Sequence, residues 1–227
     1  MMKLTYYGHS CFLVDIKGKK ILFDPFITPN ELAKNIDINS IECDFIAISH
    51  GHGDHMADAE AIAKRTQATV ICSYEIYEWL SKKGLSNFRP MNTGGRWATE
   101  TFAIKCVVAQ HSSSLPDGSN GGNPLGFVVT SSEGDFYYSG DTALTMDMQL
   151  IPHWADLRFG VFPIGDNFTM DVHDAIMASD FCLANKIVGV HYDTFPYIVI
   201  DKDKARREFE KKGKELVLPE IGETIEI

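Results

Sequence analysis

Long apolar runs, clustered positive charge and paired cysteines are all scarce in this chain of 227 residues. No run approaches the roughly eighteen apolar residues that a membrane-crossing helix needs, so nothing in the sequence reads as a span. The start, Met1-Met2-Lys3-Leu4-Thr5, enters a strand-like pattern without the apolar core of a signal peptide, and a cytoplasmic location is expected. Lys and Arg total 21 against 31 Asp and Glu, for a net charge of −10. Only Lys202-Asp203-Lys204-Ala205-Arg206-Arg207 gathers bases, and it reads as the solvated face of a C-terminal helix. Such an acidic surface disfavours non-specific nucleic-acid binding, which depends on neutralising phosphates. Cys11, Cys43, Cys72, Cys106 and Cys182 are odd in number, widely spaced and form no Cys-x-x-Cys, so reduced, buried thiols are expected.

What the chain does concentrate is ligand chemistry. Three imidazoles and a carboxylate fall within one six-residue run, His50-Gly51-His52-Gly53-Asp54-His55. The run follows the strand-like Phe45-Ile46-Ala47-Ile48-Ser49 and precedes a helix-like stretch from Met56 to Arg65, which places it on a loop between rigid elements. In extended chain His50 and His52 point the same way, whereas Asp54 and His55, near the helix start, point elsewhere. One loop can therefore feed two adjacent metal positions. A tag or a solvated loop would not lie between a buried-strand pattern and an amphipathic helix.

Residues 2–24 read as short strands with a hairpin turn at Lys17-Gly18-Lys19-Lys20. Strand and helix then alternate as Phe45–Ser49, Met56–Arg65, Thr69–Cys72 and Tyr74–Lys83. Strands return near 102–110, 125–131 and 135–139. Helices near 144–151, 171–184 and 201–212 then alternate with strands near 158–164, 186–191, 214–218 and 223–227. Two strand-rich halves, each followed by helices, predict an α/β fold: two sheets face to face with helices outside, a four-layer αββα sandwich. The length suits one domain spanning 1–227. The Ser- and Gly-rich segment from Gln110 to Pro124 reads as either a flexible linker or a mobile lid, with the lid favoured.

His50-x-His52-x-Asp54-His55 resembles the signature of the metallo-β-lactamase superfamily of dinuclear hydrolases. Further family-like segments follow in order. His111 comes after the apolar run Phe102 to Ala109, Asp141 stands in Tyr137-Tyr138-Ser139-Gly140-Asp141-Thr142, and His191 follows Ile187-Val188-Gly189-Val190. Gly8-His9-Ser10-Cys11-Phe12, Leu22-Phe23-Asp24-Pro25, Gly165-Asp166-Asn167-Phe168-Thr169-Met170 and His191-Tyr192-Asp193-Thr194-Phe195-Pro196 are similar to a compact prokaryotic branch of metal-dependent hydrolases related to the ascorbate-phosphate lactonases. The resemblance covers essentially the whole chain. It implies that His50, His52 and His111 hold one divalent metal, that Asp54, His55 and His191 hold a second, and that Asp141 bridges them. Imidazole and carboxylate without thiolate suit zinc first, with manganese, nickel and iron as alternatives. Asp141 stands where β-lactamases of this fold commonly carry a thiolate, which argues against antibiotic hydrolysis.

No Ser-His-Asp order or cysteine nucleophile emerges, so the nucleophile is sought at the metals. A bound metal lowers the pKa of water from about 15.7 to about 7, a preference for hydroxide of about 12 kcal/mol, far beyond one hydrogen bond. The expectation is a metal-bridging hydroxide that cleaves a small ester, lactone or phosphate ester, with Asp54 orienting it and taking its proton. His9 is a candidate for lining the site, and Asp24, just before Pro25, for orienting a metal-bound imidazole. Asp166 and Asn167 are candidates for the substrate side, on a loop expected beside His191. His153 and His173 match no ligand position and read as surface or packing histidines, and the aromatics read as core. The alternative, a metal-binding or sensing module without catalysis, is disfavoured by the complete ligand set. A redox diiron protein is disfavoured because such proteins usually carry Glu where His52 stands. The expected partner is a small molecule, not nucleic acid or membrane. Homo-oligomerisation stays open, since no exposed apolar helix face compels it.

Overall fold

The computed structural model describes residues 1–227. Strands β1 (Lys3–Gly8), β2 (Cys11–Ile16) and β3 (Lys19–Phe23) form an antiparallel meander, to which β4 (Phe45–Ala47), β5 (Thr69–Ser73) and β6 (Phe88–Met91) add in parallel. Lys17 and Gly18, at φ 52° and 80°, make the two-residue turn between β2 and β3, and two positive φ values suit the twist of a hairpin. A second sheet starts with antiparallel β7 (Arg96–Ala98), β8 (Phe102–Val108), β9 (Leu125–Ser131) and β10 (Asp135–Tyr138). It continues in parallel through β11 (Leu157–Pro163), β12 (Lys186–Val190) and β13 (Glu215–Val217). The last strand, β14 (Thr224–Glu226), crosses back to pair with β1, so each sheet has seven strands.

The apolar runs of these strands are continuous because both faces are buried. In β2, Phe12, Val14 and Ile16 enter the core between the sheets, while Cys11 and Leu13 face the other way. In β10, Phe136 and Tyr138 point inward and Tyr137 outward. The inner core is aromatic: Phe12 stacks on Phe23 at 4.7 Å between centroids, and Tyr138 stands edge-on to Phe12 at 5.0 Å. Helices α2 (Ala59–Thr66) and α3 (Tyr74–Ser81) cover the outer face of the first sheet with Ala59, Ile62, Ile76 and Leu80. Helices α4 (Val172–Phe181) and α5 (Lys202–Glu210) cover the second with Ala175, Ile176, Ala205 and Phe209. The result is the αββα sandwich, and all five cysteines are buried and free. No helix is long and apolar enough to cross a membrane.

Several boundaries differ from the sequence expectation. The helix expected from Met56 to Arg65 is two pieces, α1 (Gly53–Met56) and α2, parted at Ala57 and Asp58. Asp58 is turned to serve tertiary partners: its Oδ2 accepts from the backbone N–H of Ile27 at 2.6 Å and of Thr28 at 2.8 Å. The helix expected near 144–151 is a 3-10 helix over Met146–His153 that contains Pro152. Strands β6 and β7 were not expected; both are sheet edges, three or four residues long, and β6 carries Pro90 where an edge tolerates it. The segment expected as a mobile lid is pinned. Ser113 Oγ accepts from Gly51 N–H at 3.0 Å, Ser73 Oγ donates to the Gly121 carbonyl at 2.6 Å, and Trp79 Nε1 donates to Asp117 at 2.7 Å.

The pairing pattern gives β1, β3, β4, β5 and β6 one direction, and β8, β10, β11, β12 and β13 one direction in the other sheet. Loops leaving the carboxyl ends of such strands are where α/β sheets place their sites. His9 follows β1, Asp24 follows β3, His50 to His55 follow β4, His111 follows β8, Asp141 follows β10 and His191 follows β12. Gly140, just before Asp141, has φ +63°, and a Cβ there would sit 2.6 Å from the Leu125 carbonyl oxygen and 3.0 Å from Ser49 Cβ. Gly140→Ala is therefore expected to destabilise the fold by about 2 kcal/mol or more, read as a lower denaturant midpoint; an unchanged midpoint would contradict this backbone account.

Candidate metal centre

Asp24 is the most densely bonded side chain at the strand ends. It is fully buried, and its Oδ1 accepts from Ser49 N–H at 2.7 Å. Its Oδ2 accepts from the Ser49 hydroxyl at 2.6 Å, from His55 Nδ1 at 2.8 Å and from the Tyr138 hydroxyl at 2.5 Å. These donors set proton positions around the site. The Ser49 hydroxyl spends its proton on Asp24, so at 2.9 Å it accepts from His50 Nδ1. The bare nitrogen of His50 is then Nε2. A proton on His55 Nδ1 likewise leaves Nε2 as the nitrogen offered to the cavity.

Two sets of donor atoms face each other there. His50, His52 and His111 form one group and Asp54, His55 and His191, with His9, another; within each, the ligand atoms lie within 4.8 Å of one another. His50 Nε2 approaches His52 Nδ1 to 2.9 Å, a spacing of two ring nitrogens that a single proton or a shared cation reconciles. Asp141 Oδ2 lies between the groups, 3.2 Å from His55 Nε2, 3.0 Å from His191 Nε2 and 3.7 Å from His111 Nε2. Asp54 Oδ2 lies 3.9 Å from His55 Nε2 and 3.8 Å from His191 Nε2. His55 Nε2 and Asp141 Oδ1 are buried without a hydrogen-bond partner. Unsatisfied buried nitrogens and carboxylate oxygens, converging with no apolar filler, fit divalent metal. Asp24 also lies within reach of His50 and His55, but its oxygens are already occupied by protein donors.

Electrostatics point the same way. Burial would raise the Asp141 pKa, but His191 and His55 hold the carboxyl well below the usual range. Burial would lower the His55 pKa, yet the Asp141 and Asp24 carboxylates outweigh it and raise the imidazole well above its ordinary value, so without metal Nε2 also holds a proton, which a bound cation would displace. Burial, reinforced by His55, drives His50 well below. Burial also lowers His52 and His111. His9 is lowered to about 4, first by burial and then by His191, so it is neutral at pH 7. Its Nε2 then donates to Asp54 Oδ2 at 3.1 Å, and its Nδ1 accepts from the Thr194 hydroxyl at 3.0 Å. For Asp54, burial would raise the pKa, but the His9 hydrogen bond and the nearby His55 pull it far down.

The donor groups open into a cavity of about 760 Å³. Asp166 and Asn167 do not line it: both are exposed, and Asp166 belongs to a separate groove with His173. Their loop does reach the site, but through the next residue, Phe168. Phe26, Phe195 and Tyr197 complete an aromatic wall, so not all aromatics are core. Each of the four stands in a loop beside a site residue, but nothing in their spacing separates them from packing residues. Ser112, 3.3 Å from His52 Nε2, is the part of the pinned segment that lines the cavity. His153 stands in the 3-10 helix, away from this cavity.

A family model described as a β-lactamase superfamily domain matches residues 19–192, a span that holds His50, His52, Asp54, His55, His111, Asp141 and His191. A metal-dependent hydrolase of Flavobacterium johnsoniae is 50% identical over 226 residues, covering 100% of both chains. One from Christiangramia forsetii is 50% identical over 227 residues, again covering 100% of both. Among solved structures, the metallo hydrolase Igni18 of the hyperthermophilic archaeon Ignicoccus hospitalis is similar at a TM-score of 0.89 and 33% identity, covering 100% of this chain and 99% of its own.

Replacing Asp24 with Ala is expected to weaken metal binding by about 10- to 100-fold, since the imidazoles lose the partner that orients them. Competition against a chelator of known affinity measures this, and an unchanged affinity would remove Asp24 from the account.

Proposed function

The chain belongs to the metallo-β-lactamase superfamily of metal-dependent hydrolases, and from that premise we propose a dinuclear enzyme that cleaves a small ester, lactone or phosphate ester. The observation that carries a pair of ions over a single one is the position of Asp141 Oδ2, between His111 of one donor group and His55 and His191 of the other. In this reading His50, His52 and His111 hold one ion, Asp54, His55 and His191 the other, and Asp141 both. The donor chemistry favours zinc, with manganese, nickel and iron as alternatives. When bound, such ions bring the pKa of water near neutrality and polarise the scissile oxygen.

The protein's own groups supply positioning and proton transfer. Asp54 is ionised at neutral pH and keeps a quarter of its side chain exposed to the cavity, so it can orient a water by accepting its hydrogen bond, and in this reading it also takes that water's proton. Neutral His9 restrains that carboxylate through Nε2–H and is itself held by Thr194. Asp24 fixes His55 directly and His50 through Ser49, which keeps their free nitrogens directed inward without a search over ring orientations. Tyr138 reaches Asp24 from the opposite sheet and locks the two halves of the site in register.

Asp54→Ala is expected to reduce hydrolysis of phenyl acetate and bis(p-nitrophenyl) phosphate by about 10²- to 10⁴-fold, the range of a lost proton acceptor. His173→Ala, away from the cavity, should leave both rates unchanged. Steady-state kinetics on metal-loaded protein decide the matter, and full activity in Asp54→Ala would contradict the assigned role.

A further inference from the structure

The cavity's wall says more about what enters than its donor groups do. Beside the ligating side chains stand Phe26, Phe168, Phe195 and Tyr197, contributed by the segments after β3, β11 and β12, with Phe26 and Phe195 packed edge-on to His9 at 5.4 and 5.3 Å. Phe168 and Tyr197 meet edge-on at 6.2 Å, and Phe26 lies 6.3 Å from Phe195. Phe168 is 50% exposed and Tyr197 74%, so both rings stand at the mouth with free faces. A lone exposed aromatic means little, but four converging on one opening beside a reactive centre form a binding wall.

Equally telling is what the wall omits. No Lys or Arg lines the cavity. Lys202 is paired with Asp193 at 3.0 Å in a neighbouring pocket, and Lys204 lines the separate groove with Asp166 and Glu208. A phosphate monoester presents several anionic oxygens; two divalent ions would take some of them, and proteins usually meet the rest with guanidinium, ammonium or arrays of backbone N–H. Outside the donor groups, the polar side chains that line the cavity are those of Ser112 and Tyr197, both hydroxyls. Dispersion and stacking are the recognition chemistry available.

We propose that the substrate is an uncharged ester or lactone bearing an aryl group, held by the Phe168–Tyr197 and Phe26–Phe195 wall, and not a phosphorylated compound. The inference rests on the hydrolase reading and narrows its substrate class.

The test uses metal-loaded protein and two readouts. In the first, calorimetric titration compares benzohydroxamate, acetohydroxamate and phenyl phosphate. Benzohydroxamate should bind about tenfold more tightly than acetohydroxamate, the worth of one well-packed ring, and more tightly than phenyl phosphate. The double substitution Phe168→Ala and Tyr197→Ala should bring the two hydroxamates to within about threefold of each other. Both side chains are largely exposed, so folding is not at stake. In the second, kcat/KM for phenyl acetate should exceed that for phenyl phosphate and fall in the double variant by a larger factor than that for methyl acetate. Equal binding of the hydroxamates, or phenyl phosphate as the tightest ligand, would overturn the proposal. A binding preference with no turnover of any ester would support the aryl wall and count against the hydrolase reading alone.

Discussion

Four hydrogen bonds into one buried carboxylate, that of Asp24, hold the rest of the site in place. A carboxylate taken out of water is costly unless its oxygens are satisfied, and here every donor has a second task. Ser49 passes the constraint to His50, His55 offers its other nitrogen to the cavity, and Tyr138 ties the second sheet to the first. Removing the carboxylate would leave Ser49, Tyr138 and His55 without their common acceptor inside the core, and would free the Ser49 hydroxyl that orients His50. The tautomers of His50 and His55, on which any ligand role depends, follow from that one group.

The second constraint is geometric. Chains leaving the strand ends must turn sharply to bring side chains from two sheets to one point. They do so with positive φ at His9 (53°), Asp24 (41°), Gly140 (63°) and His191 (56°). Left-handed backbone costs a non-glycine residue about 1–3 kcal/mol and persists only where the surroundings over-determine it. Here the surroundings are the aromatic core beneath and hydrogen bonds across the sheets, such as His191 N–H to the His9 carbonyl at 2.9 Å and Leu125 N–H to the Ser49 carbonyl at 2.9 Å. Folding energy from Phe12, Phe23 and Tyr138 is thus converted into the strained turns that aim the ligands.

Much of this was legible beforehand because the residues concerned are contiguous or patterned. His50 to His55 form one string, and apolar runs long enough for strands buried on both faces predict two stacked sheets. What stayed hidden depends on tertiary partners. The split of the helix at Asp58 comes from its bonds to Ile27 and Thr28, about thirty residues away. Strands β6 and β7 are too short for a periodic signal and exist because each sheet offers an edge. The Asp166-Asn167-Phe168 loop lies beside the cavity that His191 lines, but the phenylalanine, not the two polar residues, reaches it. A phenylalanine in a core and one at a mouth look alike in sequence; only the convergence of three segments separates them.

In the function proposed above, seven side chains drawn from four strand ends would hold two metal ions. Elemental analysis of protein purified without added metal, set beside the same protein with Asp141→Ala, tests it most directly. About two equivalents of divalent metal per chain are predicted for the wild type, with a clear loss in the variant, as a shared bridging ligand requires. One equivalent or fewer in the wild type after reconstitution, or two retained without Asp141, would contradict the account.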